Sequence, residues 1–163
     1  MTSKKISLRL LIFTLSLPLF LSNTYAQEEL TETKKSKIIA EINSLFEKSL
    51  KAGERLDING ITENVNDTLK AGFIDNGIYF ESFDEVMSRF TNTTKGIDSQ
   101  EMTIANKKIT VLSSNTVLLT ASGNYKVKVP DGRILEGTFA WSFVYSKINN
   151  NWKIVHSHMS NPR

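Results

Sequence analysis

Residues 133–160 read RILEGTFAWSFVYSKINNNWKIVHSHMS, and the two alternating runs in this stretch decide the fold. Phe139, Trp141, Phe143 and Tyr145 recur at every second position, which places them on one face of a strand near 133–148. A second alternating run, near 152–160, follows Asn149-Asn150-Asn151, residues that tolerate the positive φ of a tight turn. The same period of two reaches back to residue 101, giving strands near 101–112 and 116–129. Val117, Leu119, Ala121, Gly123, Tyr125, Val127 and Val129 share one face of the latter, and Pro130-Asp131-Gly132 turns the chain into the aromatic strand. Gly123 and Gly137, in mid-strand between bulky residues, fit bends in a curved sheet.

Before residue 101 the period is helical. Ile38, Ile39, Ile42, Leu45, Phe46, Ser49 and Leu50 form one stripe, and Gly53 is expected to end that helix. A second, weaker helix is expected after Asn59, with Ile61, Val65 and Leu69 on one side. Phe73–Asp75 and Ile78–Phe80 flank Asn76-Gly77, the dipeptide that favours a two-residue hairpin. Ser82 followed by Glu85 makes a capping box for a third helix carrying Phe83, Val86, Met87 and Phe90. Helices first and a long antiparallel meander afterwards describe an α+β fold, three N-terminal helices packed on a strongly curved sheet.

The N terminus has a different character. Lys4, Lys5 and Arg9 precede an apolar run from Leu10 to Leu21 that is too short to span a bilayer stably, and Thr24-Tyr25-Ala26 offers a peptidase site. Residues 1–26 are therefore expected to be a signal peptide and residues 27–163 one exported domain, periplasmic or secreted, with no stable membrane insertion after cleavage. Three of the 20 Lys and Arg lie in that segment and none of the 17 Asp and Glu do, so the remainder is formally neutral at 17 against 17. That balance removes the argument for nucleic acid as a partner. The chain has no cysteine, hence no disulfides and no lipid-modified cysteine.

The order of these elements, Asp131-Gly132-Arg133 with Gly137, the run Phe143-Val144-Tyr145-Ser146-Lys147, and the ending Trp152-Lys153-Ile154-x-His156-x-His158-x-Ser160 resemble the SnoaL-like branch of the nuclear transport factor two-like superfamily. The resemblance implies a barrel-like cone, its bent sheet wrapped around the first long helix to leave a pocket at one end, with dimerisation through the sheet. Phe46, Phe73, Tyr79, Phe90, Phe139, Trp141 and Phe143 are the residues expected to line that pocket. Ketosteroid isomerases of the superfamily use a tyrosine on the first helix, an aspartate base and a second acid; here these positions match Phe46, Asp75 and Trp141, so that mechanism lacks two of its three parts.

The remaining candidates for chemistry are Asp75, which precedes the hairpin turn, and His156 and His158, the two histidines of the chain. Two histidines and a carboxylate in a half-dry pocket could share acid and base roles. Which face carries the histidines depends on the turn. If Asn149-Asn150 alone form it, Ile154, His156 and His158 fall opposite Tyr145, Phe143 and Trp141; if all three asparagines form it, they fall beside Ser146, Val144 and Ser142. The aromatic face is preferred because it gathers Trp152, Ile154 and the aromatics on one apolar surface. His-x-His on a strand can chelate, but spacing fixes no third ligand, so no metal and no cofactor are expected. No Gly-x-Ser-x-Gly or phosphate-binding glycine loop occurs. The expected protein is an exported domain binding a small hydrophobic or amphipathic molecule. Cofactor-independent isomerase or dehydratase-type proton transfer is one activity open to it; association or ligand carriage by a homodimer is the other.

Overall fold

The computed structural model describes residues 30–161, so the expected export signal lies outside the described residues. Helix α1 (Glu32–Glu54) starts where the Thr31 hydroxyl accepts from the Lys34 N–H, and it buries Ile38, Ile42 and Phe46, three residues spaced by four. Its end differs from expectation. Gly53 lies inside the last turn, and the left-handed position after the helix is taken by Leu56, at φ +56°. The glycine serves packing instead: a Cβ there would stand 2.8 Å from the Met102 side chain, so its absence lets the following sheet approach the helix.

Helix α2 (Ile58–Thr62), capped by Asp57, is only one turn long. Val65 leaves the expected helical stripe to make a parallel bridge with Ile154, and Leu69 is exposed. The hairpin β1 (Phe73–Asp75) and β2 (Ile78–Phe80) forms as its turn dipeptide requires, Asn76 and Gly77 both having positive φ. In helix α3 (Phe83–Thr94) the Ser82 hydroxyl accepts from the Glu85 N–H, while the Glu85 carboxylate accepts from the Glu81 N–H.

Four long strands follow: β3 (Ser99–Ser113), β4 (Thr116–Lys128), β5 (Ile134–Ile148) and β6 (Asn151–Ser160). The sheet order is β2-β1-β6-β5-β4-β3, antiparallel throughout except for the β1–β6 pair, and the two edge strands do not meet. The fold is thus α+β with a curved, unclosed sheet. Its inner face packs on α1 through a core of Ile38, Ile42, Phe46, Val117, Leu119, Ala121, Tyr145, Trp152 and Ile154. Burial of each large side chain in such a core contributes about 1.5–3 kcal/mol. The Trp152 indole N–H donates to Glu41 at 2.8 Å, so the tryptophan is buried without a stranded donor.

Bulges provide the curvature. One falls in β3 between Ile104 and Asn106, and Gly123 of β4 pairs with Ile104 at its edge. A Cβ on Gly123 would drive into the Thr103 carbonyl oxygen and come within 2.8 Å of the Phe139 ring. Gly123→Ala is therefore expected to destabilise the domain by about 1–3 kcal/mol through overpacking, read as a lower urea midpoint with an unchanged slope.

Candidate functional site

Beyond the core, the inner face of the sheet, the C-terminal half of α1 and the inner side of α3 enclose a cavity of about 740 Å³. Phe46, Ser49 and Leu50 reach it from α1, Phe83, Val86 and Phe90 from α3, and Tyr125, Val127, Trp141, Phe143 and Tyr145 from β4 and β5. Ile134 and Leu135, both well exposed, mark its mouth. Five of the seven residues expected around a pocket, Phe46, Phe73, Phe90, Trp141 and Phe143, stand in this wall. Phe139 and Tyr79 do not. Phe139 is buried behind Trp141, the two rings stacked at 4.1 Å, and Tyr79 lies 60% exposed on the far side of the hairpin, over Gly72.

The histidines occupy the other surface. Asn149 and Asn150 form a two-residue turn, at φ +49° and +63°, and Ile154 falls opposite Tyr145 as that turn dictates. A bulge follows at once: β6 spends an extra residue, Val155, so that His156 pairs with Val144, Ser157 with Phe143, His158 with Ser142 and Met159 with Trp141. The expectation that both histidines share the aromatic face is thereby corrected; Ser157 and Met159 take those places and line the cavity, and neither imidazole does. His156 is half-buried on the outer face, its Nδ1 at 2.8 Å from the Gly72 carbonyl oxygen. Since a carbonyl only accepts, Nδ1 carries the proton and ties β6 to the turn before β1. His158 is exposed.

Asp75 is buried on the inner face, yet both of its oxygens are engaged. Arg89 Nε donates to one at 2.6 Å and Asn76 Nδ2 to the other at 3.1 Å. Asn76 in turn accepts from the Asn161 N–H at 2.6 Å, and Asn161 accepts from the Trp141 indole at 2.9 Å. This chain of polar contacts joins α3, the hairpin, β5 and the end of β6 beside the cavity. It does not bring Asp75 and the histidines together. Sequence reasoning missed Arg89, although its position three residues after buried Val86 was the available signal.

Two hydroxyls on the cavity wall also went unrecognised, those of Tyr145 and Ser157. Tyr145 is 1% exposed, and burial pushes its phenol far above the ordinary tyrosine range. It is therefore a neutral donor at any ordinary pH. Ser157 is buried on β6, opposite Phe143.

The comparisons with known proteins agree with this architecture. The SnoaL-like domain family matches residues 42–163, and the chain belongs to that family. A nuclear transport factor 2-like superfamily protein from Salmonella enterica serovar Typhimurium superposes with a TM-score of 0.69 at 22% identity, over 79% of this chain and 94% of that one. A candidate dehydratase of the same superfamily from Streptomyces avermitilis gives 0.66 at 14% identity, over 78% and 99%. A candidate scytalone dehydratase from Novosphingobium aromaticivorans gives 0.69 at 9% identity, over 82% and 89%. At such identities these likenesses establish the fold alone. No curated protein sequence matches the chain.

The buried phenol sets an alkaline limit. Its pKa is raised in the folded state, so the stability linked to it is complete below the unfolded value near pH 10 and is lost as pH rises above it. The melting temperature of the wild type is expected to fall more steeply above about pH 10 than that of Tyr145→Phe, measured by circular dichroism. Parallel pH profiles would contradict the burial of the phenol.

Proposed function

We propose that this is an exported SnoaL-like domain whose cavity takes up a small, largely apolar or amphipathic molecule. The observation that carries the reading is the cavity itself. Its volume of about 740 Å³ is of the size that holds metabolite-sized ligands, and its walls are mostly aromatic and aliphatic, interrupted by hydroxyl, amide and carboxylate side chains. Two proteins of similar fold bear candidate dehydratase names, which makes proton transfer the first reaction class to weigh. A general base must reach the proton it removes. His156 and His158 stand on the opposite face, and Asp75 is held by Arg89 and Asn76, so the geometry favours binding or carriage over proton transfer by these three residues. A homodimer would form across the outer face of the sheet, where half-buried Leu118 and Val144 lie among serines and threonines.

Export would leave Gln27 as the N-terminal residue, which the intact mass of the protein recovered from outside the cytoplasm would report. A mass retaining residues 1–26 would contradict cleavage.

The mature domain is expected to bind 8-anilinonaphthalene-1-sulfonate saturably at one site. Ser49→Trp, which fills the cavity from α1, should weaken that binding by about tenfold, ~1.4 kcal/mol. The double variant His156→Ala, His158→Ala should bind as the wild type does. Loss of binding in the histidine variant, with Ser49→Trp unaffected, would overturn the assignment of the site.

A further inference from the structure

The cavity wall holds two buried hydroxyl groups that bond to nothing in the described part of the fold. Among the described residues the side chains of Tyr145 and Ser157 make no hydrogen bond, although Tyr145 is 1% and Ser157 8% exposed. Among those residues no fully enclosed side-chain oxygen or nitrogen is left without a partner. Each of the two hydroxyls therefore keeps a small accessible surface. Both side chains line the cavity, so that surface faces its interior. A hydroxyl set in an apolar wall without a protein partner forfeits a hydrogen bond, and a phenylalanine or an alanine would fill the same space without that loss. The polar groups nearest in the network are already satisfied: the Trp141 indole by Asn161, Asn161 by Asn76 and Asn76 by Asp75.

The two hydroxyls stand at diagonal positions on neighbouring strands. Ser157 pairs with Phe143, two residues before Tyr145 on the same face, and Ser157 is there only because Val155 is bulged out of the register. Tyr145 and Ser157 therefore both neighbour Phe143 on the cavity wall.

We infer that Tyr145 and Ser157 are the recognition groups of the cavity and select ligands that carry a hydrogen-bond-accepting oxygen, such as an aryl ketone, on an otherwise apolar ring system. This rests on the reading of the cavity as a ligand site and deepens it. A phenol held neutral by burial donates, and donates more strongly in a dry pocket than in water. The serine hydroxyl is a second donor on the same wall. The rings of Phe46, Trp141 and Phe143 supply the flat apolar contact. Recognition of this kind rejects the oxygen-free analogue, because the analogue leaves the buried hydroxyls unpaired.

The test compares 2-acetylnaphthalene with 2-ethylnaphthalene, alike in size but with and without the oxygen, by calorimetry on the mature protein and on Tyr145→Phe and Ser157→Ala. The wild type should bind the ketone about 3- to 10-fold more tightly than the hydrocarbon. Each variant should lose most of that preference while binding the hydrocarbon at least as well as the wild type. The carbonyl stretch of the bound ketone should lie at lower frequency in the wild type than in Tyr145→Phe, a shift that a purely structural tyrosine would not produce. Equal binding of the two probes, or a preference that survives in both variants, overturns the inference and leaves the cavity reading standing. Binding of neither probe overturns both.

Discussion

One extra residue in the last strand, Val155, governs what the inner face of the sheet presents. The Asn149-Asn150 turn sets Tyr145 opposite Ile154, and strict alternation from there would aim His156 and His158 at the aromatic rings. On its other edge Ile154 is clamped by the chain after α2, its N–H donating to the Asn64 carbonyl at 2.7 Å and its carbonyl accepting from the Asn66 N–H at 2.9 Å. Ile154 and Val155 are both buried, at 6% and 4% exposure, which two successive residues of a regular strand with one solvated face do not achieve. The bulge buries both, and the reversal of every side chain beyond it is the consequence.

That reversal decides the chemistry of the cavity. Imidazoles in the half-dry interior would have supplied groups that titrate near neutrality. Serine and methionine in their place supply a weak donor and a soft apolar contact. Asp75, the remaining titratable candidate on this face, is held by Arg89 and Asn76 and works as a tie between the hairpin and α3. The inner surface is therefore one of shape and largely apolar contact with two buried hydroxyls, unbonded among the described residues, and the curved sheet with α1 and α3 across it frames the space that this surface lines.

Most of the architecture was legible because its signals are local. Asn76-Gly77 carries its hairpin in two residues, Ser82 and Glu85 carry a helix start in four, and the alternation of Phe139 to Tyr145 marks the inner face of β5. The α1 stripe was legible too, whereas the role of Gly53 was not, because it depends on how closely Met102 approaches from β3. The same reason hid the early end of α2, where a bridge to Ile154 removes Val65 from the helix. In the site, five of the seven wall residues implied by the family resemblance are in place, Trp141 and Phe143 on the alternating face of β5 and Phe46, Phe73 and Phe90 from α1, the hairpin and α3, but Ser157 was not foreseeable. The adjacent apolar pair Ile154-Val155 was the only trace of the bulge, and the clamp that fixes it comes from a segment distant in sequence. Tyr145 stood on the aromatic face in plain alternation; its significance emerged only with the absence of a partner for its hydroxyl among the described residues.

The bulge is open to direct observation in solution. In nuclear Overhauser spectra of the mature domain, the Met159 methyl group should show contacts to the Trp141 indole, and the imidazole protons of His156 should show contacts to the Val144 methyl groups. Cross-peaks from either imidazole to the rings of Trp141 or Phe143, with Met159 silent toward them, would place the histidines inside and contradict the account.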